Sequence, residues 1–151
     1  MMRTTGGAGA VAAHDDLVLP FGTVRSRVAG RVVRLGPVVD EILAAHDYPE
    51  PISAVLGQAI ALTALLGQQL QDGGRLIVQT KSDGPLGFRV VQFESPGHLR
   101  GYASYDAERL AAMEKDGAIT DGALIGSGRL AMTIDPGGEQ ASHQGIVALE
   151  G

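Results

Sequence analysis

The chain has 151 residues, 44% of them hydrophobic and 19% charged, which suits one globular domain with a real core and leaves little room for two. A net charge of −5 argues against a general polyanion binder, and the absence of cysteine excludes disulfides and thiolate metal sites from this chain. With three Phe, three Tyr and no Trp, core volume must come from Leu, Val, Ile and Ala.

Residues 1–15 are rich in Gly and Ala, with one Arg and no continuous apolar stretch, and read as a disordered tail rather than a signal peptide. From Asp16 to Leu35 the pattern is β: LVLPFG, then TVRSRVAGRVVRL with period-two alternation. Val24, Ser26, Val28 and Val32 share one face, and Arg25, Arg27 and Arg31 the other. That arginine row reads as a solvated face, since no aromatics lie nearby to stack on bases. Gly36-Pro37 ends the strand and opens a helix, with Asp40 and Glu41 early, where the helix dipole favours acids. This helix runs to about His46, before the Tyr48-Pro49-Glu50-Pro51 break.

A second helix starts with Pro51 in its first turn. Ile52, Val55, Leu56, Ala59, Leu62, Leu66 and Leu70 recur at helical spacing, while Ile60 and Leu65 widen the stripe to most of the circumference. Such a helix is central to a fold or lies at an interface. Its longest apolar run, Ala59–Gly67, is broken by Thr63, so no segment is expected to reach a membrane span. The cytoplasm is the default compartment.

Asp72-Gly73-Gly74 ends the helix. RLIVQTKS and LGFRVVQF then form a hairpin about Ser82-Asp83-Gly84-Pro85. Ser95-Pro96-Gly97 turns into HLRGYASY, a short helix is expected over Ala107–Lys115, and the following glycines suggest loop. GRLAMTID and SHQGIVALE are two further strands across Pro136-Gly137-Gly138. Strands, two helices, then strands predict an α+β fold, with mostly antiparallel sheet packed with two central helices in a single domain.

Candidate chemistry is thin. His14, His46, His98 and His143 form no HxH or HExxH ligand pair, and capping or surface roles suit them better than metal binding. Gly126-Ser127-Gly128 precedes a strand, whereas a dinucleotide fingerprint opens a helix. Asp40/Glu41 and Asp15/Asp16 are adjacent, so their side chains diverge and paired acid–base work is not expected. An enzyme or small-ligand site on the loops around Gly122–Gly128 is the remotest reading. Hydrophobic surface is what remains: Ile77-Val78 and Val90-Val91 make each hairpin strand apolar on both faces. One face suits the helices; the other needs a cover of further protein, a subunit or a client.

The segments RVVRLGPVVDEILAAHDYPEPISAVLGQAIALTALLGQQLQDGGRLIVQTKSDGP, LRGY, GSGRLAMTID and HQGIVALEG resemble, in order, the N-terminal core of the heat shock protein 33 family of redox-regulated chaperonins. The likeness runs from about Leu17 to Gly151, so residues 16–151 read as an N-terminal chaperone core fragment. It implies an ATP-independent holdase that binds unfolding client proteins under oxidative and heat stress, as a homodimer; the acidic balance and the lack of a span-length segment give no expectation of a nucleic-acid or membrane partner. Family members hold zinc through four C-terminal cysteines that act as the redox switch. Those cysteines are absent here, so no cofactor is expected in this chain. Ile77, Val78, Phe88, Val90 and Phe93 are the expected client-binding or dimer surface. The alternative is a dimerisation or scaffold domain whose client surface lies on segments this chain lacks.

Overall fold

An antiparallel sheet with two helices laid on one side forms the centre of the fold, in a computed structural model that describes residues 16–150 and the backbone of Arg3–Thr4. The elements are β1 (Arg3–Thr4), β2 (Leu17–Gly22), β3 (Ala29–Arg34), α1 (Pro37–Ala44), α2 (Glu50–Gly67), β4 (Arg75–Ser82) and β5 (Phe88–Glu94). They continue with β6 (His98–Ser104), α3 (Ala107–Asp116), α4 (Asp121–Ile125), β7 (Gly128–Asp135) and β8 (His143–Leu149). One sheet has six strands in the order β1-β6-β5-β4-β7-β8, and β2 and β3 form a separate hairpin. All pairings are antiparallel except β1 with β6, so the fold is α+β. Apart from Arg3–Thr4, the expected tail over 1–15 lies outside the described residues.

The first β segment is not continuous. Thr23–Val28 is a turn closed by Thr23 N–H donating to the Val28 carbonyl at 2.9 Å and Val28 N–H donating to Thr23 Oγ1 at 3.0 Å. Arg25 and Arg27 therefore sit in the turn, Arg27 with φ 51°, and only Arg31 remains on the strand. At the entry to α1, buried Asp16 accepts Gly36 N–H on Oδ1 at 2.8 Å and Val38 N–H on Oδ2 at 3.0 Å. A carboxylate there satisfies orphan helix donors and opposes the positive end of the dipole.

Helix α2 lies across β4, β5 and β6, burying Ile52, Val55, Leu56, Ala59, Ile60 and Ala64 against the sheet. Buried Thr63 is satisfied inside the helix, donating to the Ala59 carbonyl at 2.7 Å. The last helical residue, Gly67, lies under the Phe93 ring, where any Cβ would overlap the ring. At 18 residues and mean hydropathy 1.4, α2 does reach the length and composition of a span, contrary to the sequence expectation. Its sheet-facing stripe is buried, and it is the core helix of this fold.

The short helix α4 occupies the stretch expected to be loop, and Thr120 caps it by accepting Ala123 N–H at 3.1 Å. Its C-terminal end docks on the β4–β5 turn. Ser127 N–H donates to Asp83 Oδ1 at 2.8 Å, Asp83 N–H to Ser127 carbonyl at 2.9 Å, and Gly84 N–H to Ile125 carbonyl at 3.0 Å. Gly84 admits no side chain, because its Cβ would meet the Leu124 carbonyl. Asp83 thus has the structural role its turn context implied.

Candidate functional site

Strand register sorts the hairpin residues onto two faces. Leu76 pairs with Phe93, Val78 with Val91 and Thr80 with Arg89, all on the face beneath α2. Val78 and Phe93, 5% and 1% exposed, therefore belong to the core and do not reach the surface expected of them. Ile77, Phe88 and Val90 lie on the opposite, open face and are half-buried. The structure thus divides the five expected site residues between two faces.

The open face is not a continuous apolar patch. One row across it runs Tyr102, Val90, Gln79, Ala131 and Ile146; the next runs Arg100, Gln92, Ile77, Thr133 and Gln144. Gln144 Nε2 donates to Thr133 Oγ1 at 2.9 Å, so polar side chains on this face bond across strands. Such a mixed surface tolerates water on one side, as antiparallel sheets commonly do.

The continuous apolar surface lies elsewhere. Helix α2 lies mainly on β4, β5 and β6, and its C-terminal end with the residues after it reaches Met132 and Ile134 of β7 at Leu66 and Leu70. A groove of ≈ 140 Å³ runs there between Leu66, Leu70, Leu76, Met132 and Ile134. A second groove of ≈ 360 Å³, between the β2–β3 hairpin and α2, is lined by Phe21, Gly30, Leu62, Leu65 and Leu66. The two share Leu66 and Gln69 and adjoin along α2, making a trough of two parts whose lining is apolar apart from Gln69 and Arg31. Leu62 and Phe21, 48% and 49% exposed, stand at its mouth, with the Phe21 ring laid over Gly30. Part of the signal for this trough was present in the sequence, in Leu65, which widens the apolar stripe and lines the groove, whereas Ile60 is buried against the sheet.

Two polar groups lie near the core without forming a catalytic pair. Arg89, on the helix-facing side of β5, donates Nη1 to the Val55 carbonyl at 3.1 Å and Nη2 to Thr80 Oγ1 at 3.4 Å. Burial lowers the pKa of its guanidinium, with Asp121 opposing the shift. Tyr48 accepts Ala103 N–H on its hydroxyl at 3.1 Å and packs near His46. Burial raises the Tyr48 phenol pKa, the Ala103 hydrogen bond lowers it, and Tyr102 and Tyr105 raise it further. His98 and His143 lie in strands, and His14 is outside the described residues. No group of three or more His, Asp or Glu able to hold a metal occurs among the described residues.

The chain is thus an α+β domain in which the six-stranded sheet and the β2–β3 hairpin both pack on α2, with apolar grooves beside that helix. Comparison with known proteins gives its family. The profile of the family described as Hsp33 protein matches residues 16–151, and the chain belongs to that family. A 33 kDa chaperonin of Caulobacter vibrioides is 46% identical over 139 residues, covering 91% of this chain and 46% of the relative. One from Pseudomonas fluorescens is 40% identical over 136 residues, covering 90% and 43%. The crystal structure of the 33 kDa chaperonin of Thermotoga maritima has the same fold, with TM-score 0.72 at 23% identity over 90% of this chain and 46% of that one. The chain therefore spans under half the length of the relatives it matches. Its family is one of chaperonins rather than enzymes. With no cysteine and no clustered ligands among its described residues, this chain does not fit the zinc its family resemblance implied.

Proposed function

We propose that this chain is an ATP-independent holdase core that captures exposed apolar segments of unfolding proteins in the trough beside α2. The trough carries the reading: it is lined mainly by apolar side chains and set in a chain of a chaperonin family. Removing apolar area from water is worth about 25 cal/mol per Å² without directional demands, which suits clients of unrelated sequence. Ile77, Phe88 and Val90 supply secondary contacts on the open face, and Val78 and Phe93 hold the sheet beneath α2. Lacking cysteine, the chain works alike in oxidant and reductant. The setting is the cytoplasm under heat or oxidative stress, and the working form is a homodimer.

The test is light scattering of a chemically unfolded reporter enzyme diluted into the folded chain, with and without peroxide. Suppression that is indifferent to peroxide, and weakened in Leu62→Gln and Phe21→Ser, is the expected result. A folded chain that suppresses nothing refutes the proposal. If that chain also self-associates, the dimerisation or scaffold reading takes its place.

A further inference from the structure

The three tyrosines of the chain come from different segments and meet at one place. Tyr48 lies in the connection between α1 and α2, Tyr102 in β6, and Tyr105 just after it. With His46 and Asp47 they line a hollow of ≈ 270 Å³ that shares no residue with the trough beside α2. The His46 ring stands 5.3 Å from both Tyr48 and Tyr102, tilted 51° to the first and 74° to the second. Phe88 lies 6.5 Å from Tyr102 at 49°. Rings set at such angles make the walls of a box rather than a stack. Tyr48 is held by the Ala103 N–H at 3.1 Å and, like Tyr105, packs against the core, so two walls are fixed before any ligand arrives.

No Lys or Arg is among the described residues that line this hollow. Arg109 lines the adjoining one, where its Nη1 is already given to the Asp83 carbonyl at 2.9 Å. The Asp47 carboxylate and the Tyr102 and Tyr105 hydroxyls have no hydrogen-bond partner among the described residues, so their oxygens are open to a donor. Burial raises the Tyr48 phenol, and Tyr102 and Tyr105 add to the rise against the Ala103 hydrogen bond, so phenols crowded here resist further negative charge. We infer that this hollow binds a guanidinium group, stacked on a tyrosine face with its N–H fork turned to Asp47 and the phenol oxygens. An aromatic face attracts a cation through its quadrupole, and guanidinium, planar and weakly hydrated, suits a site offering both ring faces and oxygens better than a compact ammonium does. Arginine side chains of a polypeptide and small free guanidines share this chemistry. The inference is independent of the holdase reading, since it uses none of the residues of the trough.

The chain has no Trp, so its intrinsic emission comes from these three tyrosines and reports the hollow without a label. The probes are a capped pentapeptide with arginine between pairs of glycines, its citrulline and lysine counterparts, and methylguanidinium. Citrulline keeps the shape of arginine and lacks the charge. The arginine peptide is expected to change the emission saturably, with a dissociation constant on the order of 1 mM, and the citrulline peptide to leave it unchanged. Asp47→Asn and Tyr102→Leu, both at exposed positions, should each weaken binding about three- to fivefold with the urea midpoint unchanged. Backbone amide signals of Tyr48, Tyr102 and Ala103 should shift in NMR spectra as the arginine peptide is added, a reading that needs no variant to fold. Methylguanidinium binding as tightly as the peptide assigns the site to small guanidines, and tighter peptide binding assigns it to arginine within a polypeptide. Equal binding of the citrulline or lysine peptide, unaltered binding by both variants, or amide shifts confined to other segments each overturns the inference. So does a lack of any response at arginine peptide roughly tenfold above the expected constant.

Discussion

Replacing Asp16 tests whether the hairpin and the helix layer are held together by one carboxylate. Asp16 is the residue before β2, yet both its oxygens serve the start of α1, through Gly36 N–H at 2.8 Å and Val38 N–H at 3.0 Å. A hydrogen bond to an ionised acceptor is worth ~1.5–3 kcal/mol, and two are lost in Asp16→Ala. Burying the carboxylate carries its own desolvation cost, which the alanine variant escapes, so the net loss is about 2–3 kcal/mol. Asp16→Asn keeps one acceptor oxygen but turns an amide N–H₂ toward the other donor, and should lose about 1–2 kcal/mol. Urea unfolding followed by circular dichroism reads both, as a fall in midpoint at constant slope. Near-identical midpoints for all three proteins would show that water serves these donors equally well, and the argument for a tethering carboxylate would fail.

Gly67→Ala, which drives a methyl group into the Phe93 ring, should lose about 1–3 kcal/mol by overpacking. Adding Phe93→Leu should return part of that loss in a double-mutant cycle, and strict additivity would show that the two positions do not touch. Arg89→Met removes a partly buried charge that has no hydrogen-bonded carboxylate, and its stability should stay within about 1 kcal/mol of the parent. Arg89→Ala should lose about 2 kcal/mol, because the bond to Thr80 is lost in both variants but the space that methionine refills is left empty. Absorbance titration should place Tyr48 above its ordinary value of 10.0, and Tyr48→Phe should remove that component. A raised phenol means the unfolded chain ionises first. Its contribution to stability is thus intact below pH 10.0 and falls away as pH climbs toward the folded value.

Much of the fold was legible because its signals are local. Pro51 and the glycines at 73 and 74 bracket α2, and Asp83-Gly84-Pro85 marks the hairpin. The turn at Thr23–Val28 was not legible, since its sequence TVRSRV contains no Gly, Pro, Asn or Asp and keeps the alternation of a strand. Which of Ile77 and Val78 faces inward was also out of reach. Both are apolar, and a register shift of one residue exchanges the faces; the choice is made by pairing Val78 with Val91 and Met132 in distant strands. The same ambiguity put Phe93 and Val90 in one group although they face opposite ways. The trough follows from counting layers: α2 is apolar nearly all round, and the sheet covers only one side of it.

The two ends of β7 differ in a way that bears on where this chain can be altered. By sequence, Asp83-Gly84-Pro85 is the natural site for an inserted epitope or protease target, a surface hairpin tip. In the fold it is an interior junction. It binds Ser127 and Ile125 on one side, while Pro85 accepts Asp106 N–H at 2.8 Å and Arg109 Nη1 donates to the Asp83 carbonyl at 2.9 Å on the other. An insertion there would part three segments at once. At the far end of β7, residues 138–142 are exposed, and Gly138 has open space around it. That loop can lengthen at little entropic cost, so labels and cleavage sites belong there.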